Sequence, residues 1–170
     1  MTKMMEPLVN EFRAEAKTTE RVLAKVSTEK LAWKPHPKSL SLGQLALHIA
    51  TVPGATAKML QNDEHEVTPD AFRFKDPQSA EEIRNTFQQS VKDAEAFLSG
   101  LSDHQAMGNF TLKARGKHVF TQPRLSVVRM IMLSHLYHHR GQLSVYLRLL
   151  NVPVPSIYGP SADDEGLLAG

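Results

Sequence analysis

The longest helical pattern in the chain spans residues 123–150, which read PRLSVVRMIMLSHLYHHRGQLSVYLRLL. Apolar residues recur there at steps of three and four, which is the spacing of one face of an α-helix. The members of this face are Leu125, Val128, Met132, Leu136, Leu143, Tyr146, Leu147 and Leu150. The pattern predicts a long helix with one buried face.

Three further segments have the same period. The first covers residues 8–26, and the other two begin at Ser41 and Ser79. These serines are followed three residues later by Gln44 and Glu82, which is the spacing of a capping box at a helix start. The second helix should be kinked or interrupted at residues 53–54, where proline removes a backbone donor and glycine follows.

Four amphipathic helices in 170 residues predict an all-α fold, a four-helix bundle with long connections. We expect one domain over residues 1–170, in which residues 151–170 form an irregular C-terminal tail rich in proline and glycine. The polar connections should lack regular structure, except for a short hairpin about Arg115 and Gly116.

The composition excludes several classes of protein. The chain has no cysteine, so disulfides, thiolate metal ligands and cysteine nucleophiles are ruled out. Its 20 basic and 18 acidic side chains nearly balance, and no block of like charge stands out, which gives little support for a nucleic-acid partner. The first residues are too charged for a secretory signal, and Arg129 and His135 interrupt the apolar stretch around Met130 well short of a membrane span. We expect a cytoplasmic protein with no nucleic-acid or membrane partner.

His135 and His139 lie four residues apart in the longest pattern and therefore project from one face of a helix. His139 falls at the centre of the apolar stripe and His135 slightly to one side. His48 comes three residues after Leu45 and four before Val52, so it also faces the bundle interior. Buried imidazoles need polar partners, and one shared divalent metal would satisfy all three. Three imidazole ligands leave a coordination position for water or substrate, as in catalytic sites.

Simpler interpretations stand beside this one. An inward histidine is often a hydrogen-bonded core residue, and an H-x-x-x-H pair can arise by chance among eight histidines. His138 competes as a ligand because it lies three residues after His135, but its place on the flank of the stripe favours a supporting role. Gln142 and Tyr146 are candidates for the same supporting role, or else an ordinary interface amide and a core ring. The remaining histidines fall in predicted loops, namely His36, His65, His104 and His118.

Two other positions bear on the chemistry. Leu136 stands where zinc peptidases of the H-E-x-x-H type carry a glutamate base, so a peptidase is disfavoured. Gly141 weakens the helix, which indicates either close approach of another backbone or a tolerated surface glycine.

These motifs resemble the DinB family, within the wider group of DinB and YfiT-like metalloenzymes. The resemblance covers nearly the whole chain and rests on LAWKP at 31–35, SLGQLALHIA at 41–50, HLYHHRGQL at 135–143 and VPVPSIYGP at 152–160. It implies a four-helix bundle, a divalent metal held by His48, His135 and His139, and a homodimer.

The resemblance also implies a metal-dependent enzyme acting on a small molecule, of thiol-transferase or hydrolase type. A low-molecular-weight thiol would be activated in the first case and water in the second. Zinc and nickel suit imidazole ligands, and iron or manganese are further candidates. One alternative is a non-catalytic metal-binding or stress-response module whose coordination is completed by Tyr158 or Asp163. Another is a structural bundle with buried histidines. The sequence identifies neither the substrate nor the general base.

Overall fold

A computed structural model describes residues 4–164 of the chain, apart from the side chains of residues 71 and 72. Four helical stretches correspond to the four predicted patterns: α1 (Met5–Leu23), α2 (Leu42–Met59), α3 (Ala80–Gly100), and a composite rod of α5 (Arg124–Val127), a π-helical segment (Val128–Ser134) and α6 (His135–Leu149). Shorter elements are α4 (Asp103–Met107) and two 3₁₀ turns (Thr28–Lys30 and Pro69–Phe72).

The predicted helix starts are largely confirmed. Ser41 Oγ accepts a hydrogen bond from the Gln44 N–H at 3.1 Å, and Gln44 Oε1 accepts from the Ser41 N–H at 3.0 Å, which completes a capping box. Ser79 Oγ likewise accepts from the Glu82 N–H at 3.1 Å. The Glu82 carboxylate, however, accepts from the Gln78 N–H at 2.6 Å instead of closing the predicted box.

α2 runs as one helix past Pro53, so the interruption predicted there is wrong, and the kink that was the other possibility stays a prediction. The neighbouring Gly54 N–H donates to Ser90 Oγ on α3 at 2.7 Å. A methyl group on Gly54 would lie 3.0 Å from the Ser90 Cα, so the glycine lets the two helices pack closely here. α2 and α3 are therefore in close contact directly after the proline.

The chain is mostly helical, as predicted, but its described residues also include three strands that form a small sheet: β1 (Glu64–Val67), β2 (Asn109–Ala114) and β3 (Lys117–Pro123). The fold is therefore not a pure four-helix bundle. β1 pairs with β2 in parallel and lies in a connection predicted to be irregular. β2 and β3 pair antiparallel as the predicted hairpin. Its two-residue loop has positive φ at Arg115 (52°) and Gly116 (70°), as a type I′ turn requires.

The core consists of two apolar clusters. One contains Leu45 and Ile49 of α2 with Leu143 of α6. The other contains Phe110 of the sheet with Met132 of the π-helical segment. The composite rod therefore runs from the sheet end of the molecule to the end where the first cluster lies.

Over residues 151–164 the C-terminal tail forms turns and bends without a helix, and it buries Val154 and Ser156. Residues 165–170 of the predicted tail lie outside the described residues. Within the described chain, no helix combines the length and apolar composition needed to cross a bilayer.

Candidate metal centre

Three histidines from two helices lie together at the first core cluster. His48 belongs to α2, and His135 and His139 belong to α6. One ring nitrogen from each lies within 4.8 Å of those of the other two. The Nε2 atoms of His48 and His135 are 2.9 Å apart, and the ring centroids are separated by 4.4 to 5.1 Å. The three residues singled out by helical spacing are thus brought to one point.

Their position relative to the core differs from the prediction. His139 was expected at the centre of the buried stripe, but the fully buried positions of α6 are Leu136, Arg140, Leu143 and Leu147. The cause is the π-helical segment, after which the His135 N–H bonds the Met130 carbonyl five residues back. A π turn accommodates an extra residue and rotates the following helix by about 100°. The histidines therefore lie beside the stripe, partly exposed to solvent.

Gln142 holds the ring of His139. Its Oε1 lies 2.7 Å from His139 Nδ1. An amide oxygen only accepts hydrogen bonds, so this contact places the proton on Nδ1 and leaves Nε2 with a free lone pair. That is the tautomer that a ligating imidazole needs, and metal-bound histidines usually have such a partner. The supporting role predicted for Gln142 thus has a direct geometric basis.

The environment favours the neutral form of the three rings. Burial lowers the pKa of His48 to about 4, with further lowering by His139 and His135. Burial is also the main cause of the lowered pKa of His135 and of His139, although the Gln142 hydrogen bond partly offsets it in His139. Neutral imidazole is the form that binds metals.

The dimensions of the cluster fit a divalent metal. Zinc–imidazole bonds of about 2.0–2.1 Å place tetrahedral ligand nitrogens about 3.4 Å apart. The observed spacing, from 2.9 Å to at most 4.8 Å, brackets that value. All three donors are nitrogen, which suits zinc and nickel and is compatible with iron or manganese.

The other candidates occupy different places. His138 is exposed, and its ring lies against the His139 ring in a T-shaped arrangement with centroids 4.9 Å apart. The Tyr146 hydroxyl donates to the Leu40 carbonyl at 3.3 Å, and its ring packs against Trp33. The remaining histidines are exposed, but three lie on regular elements rather than in loops: His65 on β1, His104 on α4 and His118 on β3.

The two tail residues considered as extra ligands are bonded elsewhere. Asp163 pairs with Arg148 at 2.7 Å and accepts from the Val154 N–H at 2.9 Å. The Tyr158 hydroxyl contacts Arg140 at 2.6 Å and Glu15 at 3.1 Å, on the α1 side of α6. Both side chains hold the tail against the helices.

Arg140 is a residue whose importance the apolar pattern did not indicate. It is only 1% exposed and pairs with Glu15 of α1 at 2.7 Å. Its guanidinium also donates to Thr19 Oγ1 at 3.1 Å and lies over the rings of Tyr137 and Tyr158. Successive helical residues project about 100° apart, so Arg140 contacts α1 while His139 faces α2. Arg140 lies four residues after the buried Leu136, and this spacing would have predicted its burial if the π-helical shift had been known.

The second residue missed is Phe74, in the connection after the turn Pro69–Phe72. Its ring centroid lies 5.2 Å from that of His48, at 81° between ring planes. The distance along the chain between Phe74 and either helix left no local signal for this contact.

Known proteins resemble this chain in sequence and in fold. The model of the DinB family matches residues 1–166. YrdA of Bacillus subtilis strain 168, an uncharacterized protein, is 25% identical over 164 residues, covering 96% of this chain and 93% of YrdA.

Solved structures show the same fold. A DinB-like protein from Bacillus cereus ATCC 10987 superposes with a TM-score of 0.72 at 23% identity, covering 93% of this chain and all of the other. The DinB-like protein YjoA of Bacillus subtilis gives a TM-score of 0.65 at 21% identity, covering 86% of this chain and 92% of YjoA.

Proposed function

The chain belongs to the DinB family, and from that premise we propose that it is a divalent-metal-dependent enzyme acting on a small molecule. The observation that carries the proposal is the convergence of His48, His135 and His139, with one nitrogen of each within 4.8 Å of the others. Their partial exposure gives a small molecule access to the centre.

The residues have separate tasks in this proposal. His48, His135 and His139 hold the metal through neutral nitrogens. Gln142 fixes the tautomer of His139 by accepting its Nδ1 proton. When bound, the metal supplies a Lewis acid that favours the deprotonated form of a thiol or of water.

A thiol-transferase reaction is the version that the surroundings favour. Attack by water calls for a group that accepts its proton, and no carboxylate joins the three histidines in one potential ligand group among residues 4–164. A thiol gives up its proton much more readily and has less need of such a group. Because the chain contains no cysteine, that thiol must come from a low-molecular-weight cofactor. Hydrolysis is the alternative reaction at the same centre.

A non-catalytic module would close its coordination with a fourth protein ligand. Tyr158 and Asp163 were the candidates, and both are bonded away from the histidines. This favours an open position and therefore the enzyme.

We also propose that the enzyme is a homodimer. Val145 and Leu149 lie four residues apart on α6 and are 56% and 57% exposed, which gives an apolar patch on one helix face. Light scattering of the purified protein tests this, and a single-chain mass would contradict it.

Elemental analysis tests the metal site directly. We expect about one metal per chain in the parent protein and none in the folded variant with His48→Ala, His135→Ala and His139→Ala. The matched control replaces three exposed histidines, at His65, His104 and His118, and should retain the metal. Absence of metal from the parent after reconstitution with zinc, nickel, iron and manganese would refute the proposal.

Turnover measurements then distinguish the thiol-transferase reaction from the hydrolase reaction. Thiol-dependent turnover of electrophilic small molecules supports the transferase, and thiol-independent turnover of esters or amides supports the hydrolase. Activity that survives in the metal-free triple variant would contradict both.

A further inference from the structure

Phe74 exposes a large apolar ring beside the three histidines. It is 40% exposed, and it contacts the His48 ring in a T-shaped arrangement with centroids 5.2 Å apart. Part of the phenyl ring surface is therefore open to solvent next to His48.

The core does not account for this placement. With 40% of its surface exposed, Phe74 is not a member of either cluster of buried apolar side chains. Its aromatic contact is instead with a polar ring. Burial in the core therefore contributes little to holding Phe74 here, and a ligand beside His48 would cover more of its surface.

The charges near Phe74 do not create a strong ionic site. Arg73 pairs with Asp70 at 3.2 Å, and both side chains are largely exposed. On the other side of Phe74 along the chain, Lys75 is followed directly by Asp76. The formal charges of these four side chains sum to zero, and the distinctive feature of this segment is its apolar ring.

We propose that Phe74 forms one wall of the substrate site and selects molecules that carry an aromatic or similarly apolar group next to the atom engaged at the metal centre. Aromatic pairs contribute about 0.5–1.5 kcal/mol beyond the area they bury, which corresponds to about a 2- to 12-fold change in affinity. This inference rests on the proposed function, because it needs an open position at His48, His135 and His139.

Two small metal ligands test the inference without turnover. The cobalt-loaded protein is titrated with imidazole and with 4-phenylimidazole, and the visible absorption of cobalt reports binding. The parent should bind the phenyl compound more tightly. Phe74→Ala should weaken binding of 4-phenylimidazole about 3- to 10-fold, leaving the affinities for imidazole and cobalt unchanged. Phe74→Leu, which keeps an apolar side chain without a ring, should give an intermediate result.

Met107→Ala is the matched control, because Met107 is 50% exposed on α4 and outside the histidine cluster. It should behave as the parent. Equal loss in the control and in Phe74→Ala, or no loss in either, would overturn the role of Phe74 while cobalt binding still supported the metal site. Failure of the parent to bind cobalt, or of both ligands to change its spectrum, would overturn the open metal site and this inference together.

Discussion

Gln142 accepts a hydrogen bond from His139 Nδ1 at 2.7 Å, one turn further along α6. The bond determines which nitrogen of His139 faces the other two imidazoles. It also restrains the rotation of a ring that is only partly buried. A side chain outside the ligand set can thus control how well the centre is prepared for a metal.

Replacing Gln142 should therefore weaken metal binding. We expect Gln142→Ala to lower the zinc affinity about 10- to 100-fold, as loss of a histidine's outer partner typically does. Gln142→Glu should preserve the affinity because a carboxylate also accepts the Nδ1 proton. Competition with a chromogenic chelator measures both.

Gln89→Ala controls for loss of a helical glutamine, since Gln89 bonds Asp93 on the surface of α3. It should leave the affinity unchanged. Parent-like affinity in Gln142→Ala would show that the hydrogen bond does not prepare the site.

The lowered pKa of His48 predicts a pH dependence of stability in the metal-free protein. Its folded pKa is about 4, against an ordinary value of 6.5, so the unfolded chain binds more protons between these values. The free energy of unfolding should therefore be highest above pH 6.5 and fall as the pH drops toward 4. Urea unfolding at a series of pH values should show a smaller fall in His48→Asn. Equal falls in the parent and the variant would be inconsistent with a destabilising protonation of His48.

Breaking the buried ion pair between Arg140 and Glu15 should destabilise the fold strongly. Arg140→Leu leaves the Glu15 carboxylate, itself only 15% exposed, without its cation, and we expect a loss of about 3–5 kcal/mol. The double variant Arg140→Leu, Glu15→Leu should recover much of that loss because no unpaired charge remains. Chemical denaturation measures all three free energies.

The pair of Arg13 and Glu95 provides the surface comparison, with side chains 50% and 37% exposed. Arg13→Ala should change the free energy of unfolding by about 0–1 kcal/mol. If Arg140→Leu cost no more than this, the buried network could not be a main attachment between α1 and α6.

Two helical glycines should respond oppositely to alanine. Nothing lies within 4 Å of a methyl group built on Gly141, so Gly141→Ala should raise the free energy of unfolding by about 0.5–1 kcal/mol. At Gly54 the same methyl group would lie 3.0 Å from the Ser90 backbone, and overpacking should give a net loss of about 1 kcal/mol. Thermal or urea unfolding compares the two. A loss at Gly141 would indicate that a second chain approaches this face.

Much of the fold could be predicted because its signals are local. Periodicity located the helices, and the serines at 41 and 79 marked two starts that depend on hydrogen bonds within three residues. The parallel pairing of β1 with β2 could not be predicted in this way. β1 reads Glu-His-Glu-Val, has no apolar alternation, and gains its structure from a partner more than 40 residues away.

The same difference between local and distant signals applies to the candidate site. His135 and His139 follow from helical spacing, and the inward face of α2 adds His48. The extra residue in the π-helical segment was not predicted, because its apolar composition fits an α-helix equally well. Because this extra residue was not predicted, the centre of the buried face was expected at His139 instead of Arg140. The burial of Arg140 was therefore not predicted.

The π-helical segment Val128–Ser134 belongs to the second apolar cluster, and the junction between Ser134 and His135 marks the change to the first cluster along the rod. The sheet end packs against residues before this junction, and the histidine end packs against residues after it. Substitutions that reshape the ligand-facing end can therefore accumulate with little effect on the sheet end. A scaffold divided in this way can acquire new specificities at one end while the packing of the other end is kept.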